Sequence, residues 1–134
     1  MRLELPLPPS GNRYWRLFRG RLVRSSEATA YIELVRWRFV GARQGPPQDA
    51  KQKLAIVAGL WMSGRGDLDN RVKVLLDALQ RVAYVDDKQV WSLEAHRFEA
   101  RPSATRCEVF ITPWVRTERV SAMFGEFFGK ETDR

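Results

Sequence analysis

The chain is poor in the residues that carry much of enzyme chemistry. It has one cysteine, Cys107, and one histidine, His96. A single cysteine excludes an intrachain disulfide and is compatible with a reducing cytoplasm. A single histidine excludes a histidine-based metal cluster. With no nucleophile elbow either, a Ser-His-Asp site cannot be argued. No glycine-rich loop follows the Walker pattern. No run of 18 apolar residues is present, nor a signal-like start, nor a Lys/Arg cluster beside an apolar anchor. A membrane is therefore not the expected partner. No internal repeat or convincing domain boundary divides the chain.

What the sequence has is positive charge. Lys and Arg number 23 against 16 Asp and Glu, for a formal net charge of +7 and a pI near 10.2. A basic surface attracts nucleic-acid phosphates and releases their counterions on binding. The apolar share of 44% and charged share of 29% fit an ordinary globular protein of one domain.

Periodicity predicts the elements. "RLELPLP" (2–8) alternates Leu3, Leu5 and Leu7 as a strand does. "PPSGNRYWR" (8–16) reads as a loop, and "LFRGRLV" (17–23) as a small hairpin about Arg19-Gly20. Ser25 or Ser26 can cap a helix running to about Arg43, with Ala28, Tyr31, Leu34, Val35, Phe39 and Ala42 on its apolar stripe. Trp37 and Val40 lie off that stripe and hint at a second contact. "LAIVAGLWM" (54–62), apolar throughout, predicts a strand covered on both faces. Leu68, Val72, Leu75, Leu76, Leu79 and Ala83 predict an amphipathic helix from Asp67 or Asp69 to near Tyr84. Residues 89–100 and 105–112 predict two strands paired antiparallel across "RPSA". Val120, Met123, Phe124, Phe127 and Phe128 predict a short C-terminal helix, whose apolar face must be covered by its own domain, a second subunit or another protein. The expected fold is α+β: one domain (1–113) with a mixed sheet and two main helices, and a helical extension over 114–134.

Against the basic background, "SGRGDLDNRVKVLLDALQRVAYVDDKQV" (63–90) gathers Asp67, Asp69, Asp86 and Asp87. Helix caps and turns explain any one of them. Their arrangement suggests more. Asp67 in an extended lead-in and Asp69 near the cap can share a ligand, and a return strand beside 54–62 is expected to bring Asp86 or Asp87 to them. Three converging carboxylates suit an oxygen-liganded Mg²⁺, which shares itself with a phosphate. Such an ion activates water and neutralises charge in phosphodiester hydrolysis. Lys73, four residues after Asp69, can reach a phosphate or leaving oxygen. Arg65 and Asn70 are candidate phosphate contacts, and Asn70 can alternatively orient a carboxylate. Asp77 reads as surface-structural.

"LPPSGNRYWR", "RGDLDNRVKVLLDAL" and "VDDKQV" together resemble RusA-like Holliday junction resolvases, over roughly Leu5 to Thr112. The resemblance implies a homodimeric, Mg²⁺-dependent endonuclease, with Mn²⁺ as a substitute, that nicks two opposing strands of a four-way junction. It implies Asp67, Asp69 and Asp87 as the essential, metal-binding carboxylates, Lys73 as their catalytic assistant and Asp86 as an adjacent acid. It also implies DNA contacts by Asn12, Arg13 and Tyr14, alongside Arg65, Asn70 and Lys88, and a bacterial cytoplasm, phage or prophage setting. The longer tail after Pro113 and the "GARQGPPQDAKQK" connection depart from the family's compact members. The rival expectation is a non-catalytic, branch-selective DNA-binding module whose acids only cap and turn. The same chemistry on flaps or forks is a third.

Overall fold

Nine consecutive buried residues form the strand on which the rest of the fold is assembled. This strand, β4 (Leu54–Met62), has its edges occupied by two different partners. The computed structural model describes residues 1–11, 15–24, 26–41 and 49–116. The predicted C-terminal helix therefore lies outside the described residues, apart from 114–116. Along the chain the earlier elements are β1 (Arg2–Leu5), β2 (Trp15–Phe18), β3 (Arg21–Arg24) and α1 (Ser26–Gly41). After β4 come α2 (Leu68–Leu79), β5 (Val90–Glu99) and β6 (Arg106–Pro113).

The main sheet has the order β1-β6-β4-β5, and β2 with β3 forms the separate hairpin that was expected about Arg19-Gly20. β4 runs parallel to β5 and antiparallel to β6. The expected direct pairing of the last two strands is thus corrected: β4 lies between them. The reason is geometric. A helical crossover brings the chain back parallel to the strand it left, so β5 takes one edge of β4 and leaves the other to β6. Residues 100–105, with a 3₁₀ turn at Pro102–Ala104, then need only span two strand spacings, about 10 Å. The Ala100 amide extends the β4 contact by donating to the Met62 carbonyl at 3.0 Å.

Both main helices pack on one face of this sheet. Ala28, Tyr31, Val35 and Phe39 of α1 and Val72, Leu75 and Leu79 of α2 share a core with Ile56, Ala58 and Leu60 of β4 and Val109 and Ile111 of β6. Trp37 is 70% exposed, as its off-stripe position suggested. Cys107 is buried, as expected of a small apolar filler, and burial pushes its thiol up to about 12. The opposite face carries a smaller cluster of Val57, Trp61 and Phe110 with Phe98 and Ala100.

α2 stops at Leu79, earlier than the apolar stripe implied. The chain then turns through Arg81, whose φ of 72° lies in the left-handed region. Tyr84 takes over the role of continuing the stripe. It is fully buried, and its hydroxyl donates at 2.9 Å to the Leu76 carbonyl, which also accepts the Gln80 N–H at the end of α2.

Candidate active site

The loop between β4 and α2 is held by an arginine that sequence patterning does not single out. Arg97 of β5 donates to the Gly66 carbonyl at 2.7 Å and the Gly64 carbonyl at 2.5 Å. Gly64 has φ 75°, a conformation that favours glycine. The anchored loop delivers Asp67 to the N-cap position of α2 in extended conformation, φ −88° and ψ 130°.

A capping carboxylate would accept a backbone N–H of the first turn. Asp67 makes no such bond. Its Oδ2 instead accepts from the Asn70 side chain at 3.2 Å, while Asp69 Oδ1 accepts from the Asn70 backbone N–H at 2.9 Å. Asn70 thus orients both acids. Both stay exposed at the N-terminus of α2.

These acids open onto a groove between α2 and β5 of about 680 Å³, lined by Gly66, Asp67, Leu68, Asp69, Val72, Lys73, Leu76, Leu93 and Ala95. Lys73 lies one turn after Asp69 and is exposed, as is Arg65 in the loop before the pair. The N-terminal loop closes on the same place. Arg71 donates to the Pro8 carbonyl at 2.6 Å, and a Cβ on Gly11 would stand 3.0 Å from the Asn70 carbonyl oxygen. Asn12, Arg13 and Tyr14 lie outside the described residues, but the chain enters that segment beside Asn70.

The second acidic pair divides its labour. Asp86 is a cap: its Oδ1 accepts from the Lys88 N–H at 2.9 Å, and Gln89 completes a capping box around the 3₁₀ turn Asp87–Gln89. Lys88, the turn's exposed cation, leaves its side chain at the surface. Asp87 accepts at 3.2 Å from the hydroxyl of buried Tyr84. Partial burial raises the Asp87 carboxyl above its ordinary range. The Tyr84 hydrogen bond offsets part of this, and the charge of Asp86 adds to it. Tyr84 is itself raised, by burial first and then by Asp87.

The expected convergence of Asp67, Asp69 and Asp87 within one chain is not what the fold produces. Among the described residues no group of three or more His, Cys, Asp or Glu side chains is placed to hold a metal ion. A parallel crossover explains it. Leu54 pairs with Val90 and Met62 with Glu99, so Asp87 precedes β5 at the end of the sheet where β4 begins. Asp67 follows β4 at the other end. The Tyr84 hydroxyl ties Asp87 to Leu76, seven residues and about 10 Å along α2 from Asp69. Ligands of one Mg²⁺ each lie about 2.1 Å from it. The structure therefore brings together Asp67, Asp69, Asn70 and Lys73, and sets Asp87 at the far end of the same helix.

Asp67 and Asp69 form an oxygen-only donor pair that suits a hard divalent cation. One or two carboxylates plus substrate phosphates are the usual complement of Mg²⁺. The residues fit that ion to this extent. Of the residues that sequence reasoning missed, Gln89 had a signal in the Asp86-x-x-Gln89 spacing of a capping box. Arg71, Arg97 and Tyr84 had none beyond their places on a helix, a strand and a turn.

The family model for Endodeoxyribonuclease RusA matches residues 6–112. The crossover junction endodeoxyribonucleases RusA of Enterobacteria phage 82, Escherichia coli K12 and Shigella sonnei are each 37% identical over 89 residues, 66% of this chain and 74% of theirs. Among the described residues no helix is long and apolar enough to cross a membrane.

Proposed function

From the premise that this chain belongs to the RusA endodeoxyribonuclease family, we propose that it is a Mg²⁺-dependent nuclease resolving four-way DNA junctions by paired, symmetric nicks. The observation that carries the reading is Asp67. It occupies a helix N-cap yet leaves its carboxylate out of the cap, beside Asp69 and Lys73 on an open groove. An acid retained for helix stability alone would make the capping bond. A bound Mg²⁺, with Mn²⁺ as a substitute, would supply a nucleophile from water and neutralise charge developing on the phosphate. Asp67 and Asp69 would hold the ion. The Lys73 ammonium would face the leaving oxygen. Arg65, Asn70 and Lys88, with Asn12, Arg13 and Tyr14, would contact the DNA backbone and branch point. Relatives from a phage and from enteric bacteria suit an enzyme working in the bacterial cytoplasm, host- or phage-encoded.

The same geometry supports a homodimer. β5 is an edge strand with Trp91 and Leu93 exposed on it, and the groove beside it is largely apolar. A two-fold axis perpendicular to β5 at that edge would reverse strand polarity. The Asp87 end of one copy would then lie alongside the Asp67 end of the other, so each site would draw its third carboxylate from the partner. Two such sites related by a two-fold axis match two symmetric nicks.

The test is cleavage of a labelled four-way junction beside linear duplex, with Mg²⁺, Mn²⁺ or EDTA. The expected outcome is metal-dependent paired nicks in the junction, lost in Asp69→Asn. Junction binding without any cut would replace this reading with an architectural role, and full cleavage by Asp69→Asn would remove the acid from the site.

A further inference from the structure

The turn that carries Asp87 is fastened by one buried amide. Gln89 is 4% exposed. Its Oε1 accepts from the Val85 N–H at 2.8 Å and the Asp86 N–H at 3.1 Å. Its Nε2 donates to the Asp49 carbonyl at 2.6 Å and the Gln52 carbonyl at 3.0 Å. A primary amide has two N–H donors and two acceptor lone pairs, and all four are engaged. Glutamate can keep the two acceptances but cannot donate. Methionine fills the volume and can do neither. Gln89 thus ties the backbone before Asp87 to the segment that leads into β4. Tyr84 acts on the carboxylate itself. Its single hydroxyl hydrogen is shared between Leu76 and Asp87, so the acid is tethered to the helix that carries Asp69 and Lys73.

We propose that Gln89 and Tyr84 are positioning residues for the Asp87 carboxylate: Gln89 fixes the turn, Tyr84 fixes the side chain, and together they present the acid to the Asp67/Asp69 site of a second copy of the chain. The proposal rests on the reading of Asp87 as a metal-binding acid. An acid that must reach an ion bound chiefly by Asp67 and Asp69 of a second copy cannot depend on a mobile turn. Outer-shell hydrogen bonds of this kind orient ligands, and their loss typically costs roughly 10- to 100-fold in metal affinity or activity. Tyr84→Phe removes one hydroxyl from a packed ring and keeps its volume.

The experiment compares the full chain with Tyr84→Phe, Gln89→Met, Asp87→Asn and the Tyr84→Phe/Asp87→Asn double variant. Mn²⁺ affinity is read from the free-ion paramagnetic resonance signal in the presence of four-way junction. Junction affinity in EDTA, melting temperature and the Mg²⁺ concentration for half-maximal cleavage are measured alongside. In Tyr84→Phe the Mn²⁺ affinity is expected to fall, and the Mg²⁺ requirement to rise, by roughly 10- to 100-fold, with junction binding in EDTA unchanged. Gln89→Met should follow in the same direction. Within the Asp87→Asn background, Tyr84→Phe should add nothing, the signature of two groups acting as one unit. Wild-type metal dependence in Tyr84→Phe, while Asp87→Asn is impaired, would overturn the positioning role and leave the reading of Asp87 intact. Wild-type behaviour of Asp87→Asn itself would overturn both. Should Gln89→Met fail to fold, Tyr84→Phe decides alone.

Discussion

The acids at the two ends of α2 are held in opposite ways. At its N-terminus, Asp67 and Asp69 are exposed and meet through one short polar neighbour, Asn70. At its C-terminal end, Asp87 is tethered to buried Tyr84, on a turn locked by the buried Gln89 amide. The first pair has the character of ligands that admit water, ion and phosphate. The second acid has the character of a preset stop, fixed before any substrate arrives. The contrast also separates Asp86 from Asp87. These neighbours look alike in sequence, yet one is consumed by a capping box and the other keeps a carboxylate oxygen directed at a tyrosine.

The largest expected effect tests whether the two ends meet across a dimer. Asp69→Asn and Asp87→Asn homodimers are each expected to be inactive. Mixed and reassociated, they should regain nicking of a single strand. In a heterodimer, one shared site would then receive both substitutions and the other would receive none. Gel analysis of a four-way junction labelled on each strand reads this directly. Mixtures as inactive as their parents would show that each chain must complete its own site. That would require α2 and the Asp87 turn to rearrange when DNA binds.

Next in size is Lys73→Met, which keeps the stem along the groove and removes the charge. A preorganised donor facing developing charge is worth roughly 10²–10³ in kcat. Loss of that order, with junction binding within a few-fold of wild type, is expected from single-turnover cleavage. An equal loss in binding and cleavage would instead make Lys73 one more phosphate contact.

Much of the fold was legible because its signals are local. The unbroken apolar run 54–62 became β4, and the stripe from Leu68 to Leu79 became α2, with Val72, Leu75 and Leu79 buried beside Val74 and Ala78 while Leu68 and Leu76 line the groove. Pairing was less legible. Nothing in residues 89–112 reveals that β4 would lie between the last two strands, since strand order depends on which edge the crossover leaves free. The same blindness affected the site. Asp67, Asp69 and Lys73 were found together because one loop and one helical turn connect them. A return strand beside 54–62 suggests that Asp87 joins them, but a parallel return begins at the opposite end of the sheet. The clamps were hidden for a third reason. Arg97 and the Gln89 amide nitrogen donate to backbone carbonyls distant in sequence, and no pattern of side-chain types encodes such partners.

The smallest effect distinguishes the two neighbouring acids. Asp86→Ala removes the carboxylate that accepts from the Lys88 N–H, but leaves Gln89 bonded to the Val85 and Asp86 amides. Loss of a capping side chain typically costs about 0.5–2 kcal/mol. Denaturant unfolding should therefore show a lower midpoint with an unchanged slope, because the surface exposed on unfolding is the same. Cleavage measured well below the unfolding transition should stay within a few-fold of wild type, since the tether from Tyr84 to Asp87 does not pass through Asp86. A variant as stable as wild type but unable to cut would reverse the assignment. Asp86 would then be the acid that serves the metal site, and the capping box a consequence of where that acid has to stand.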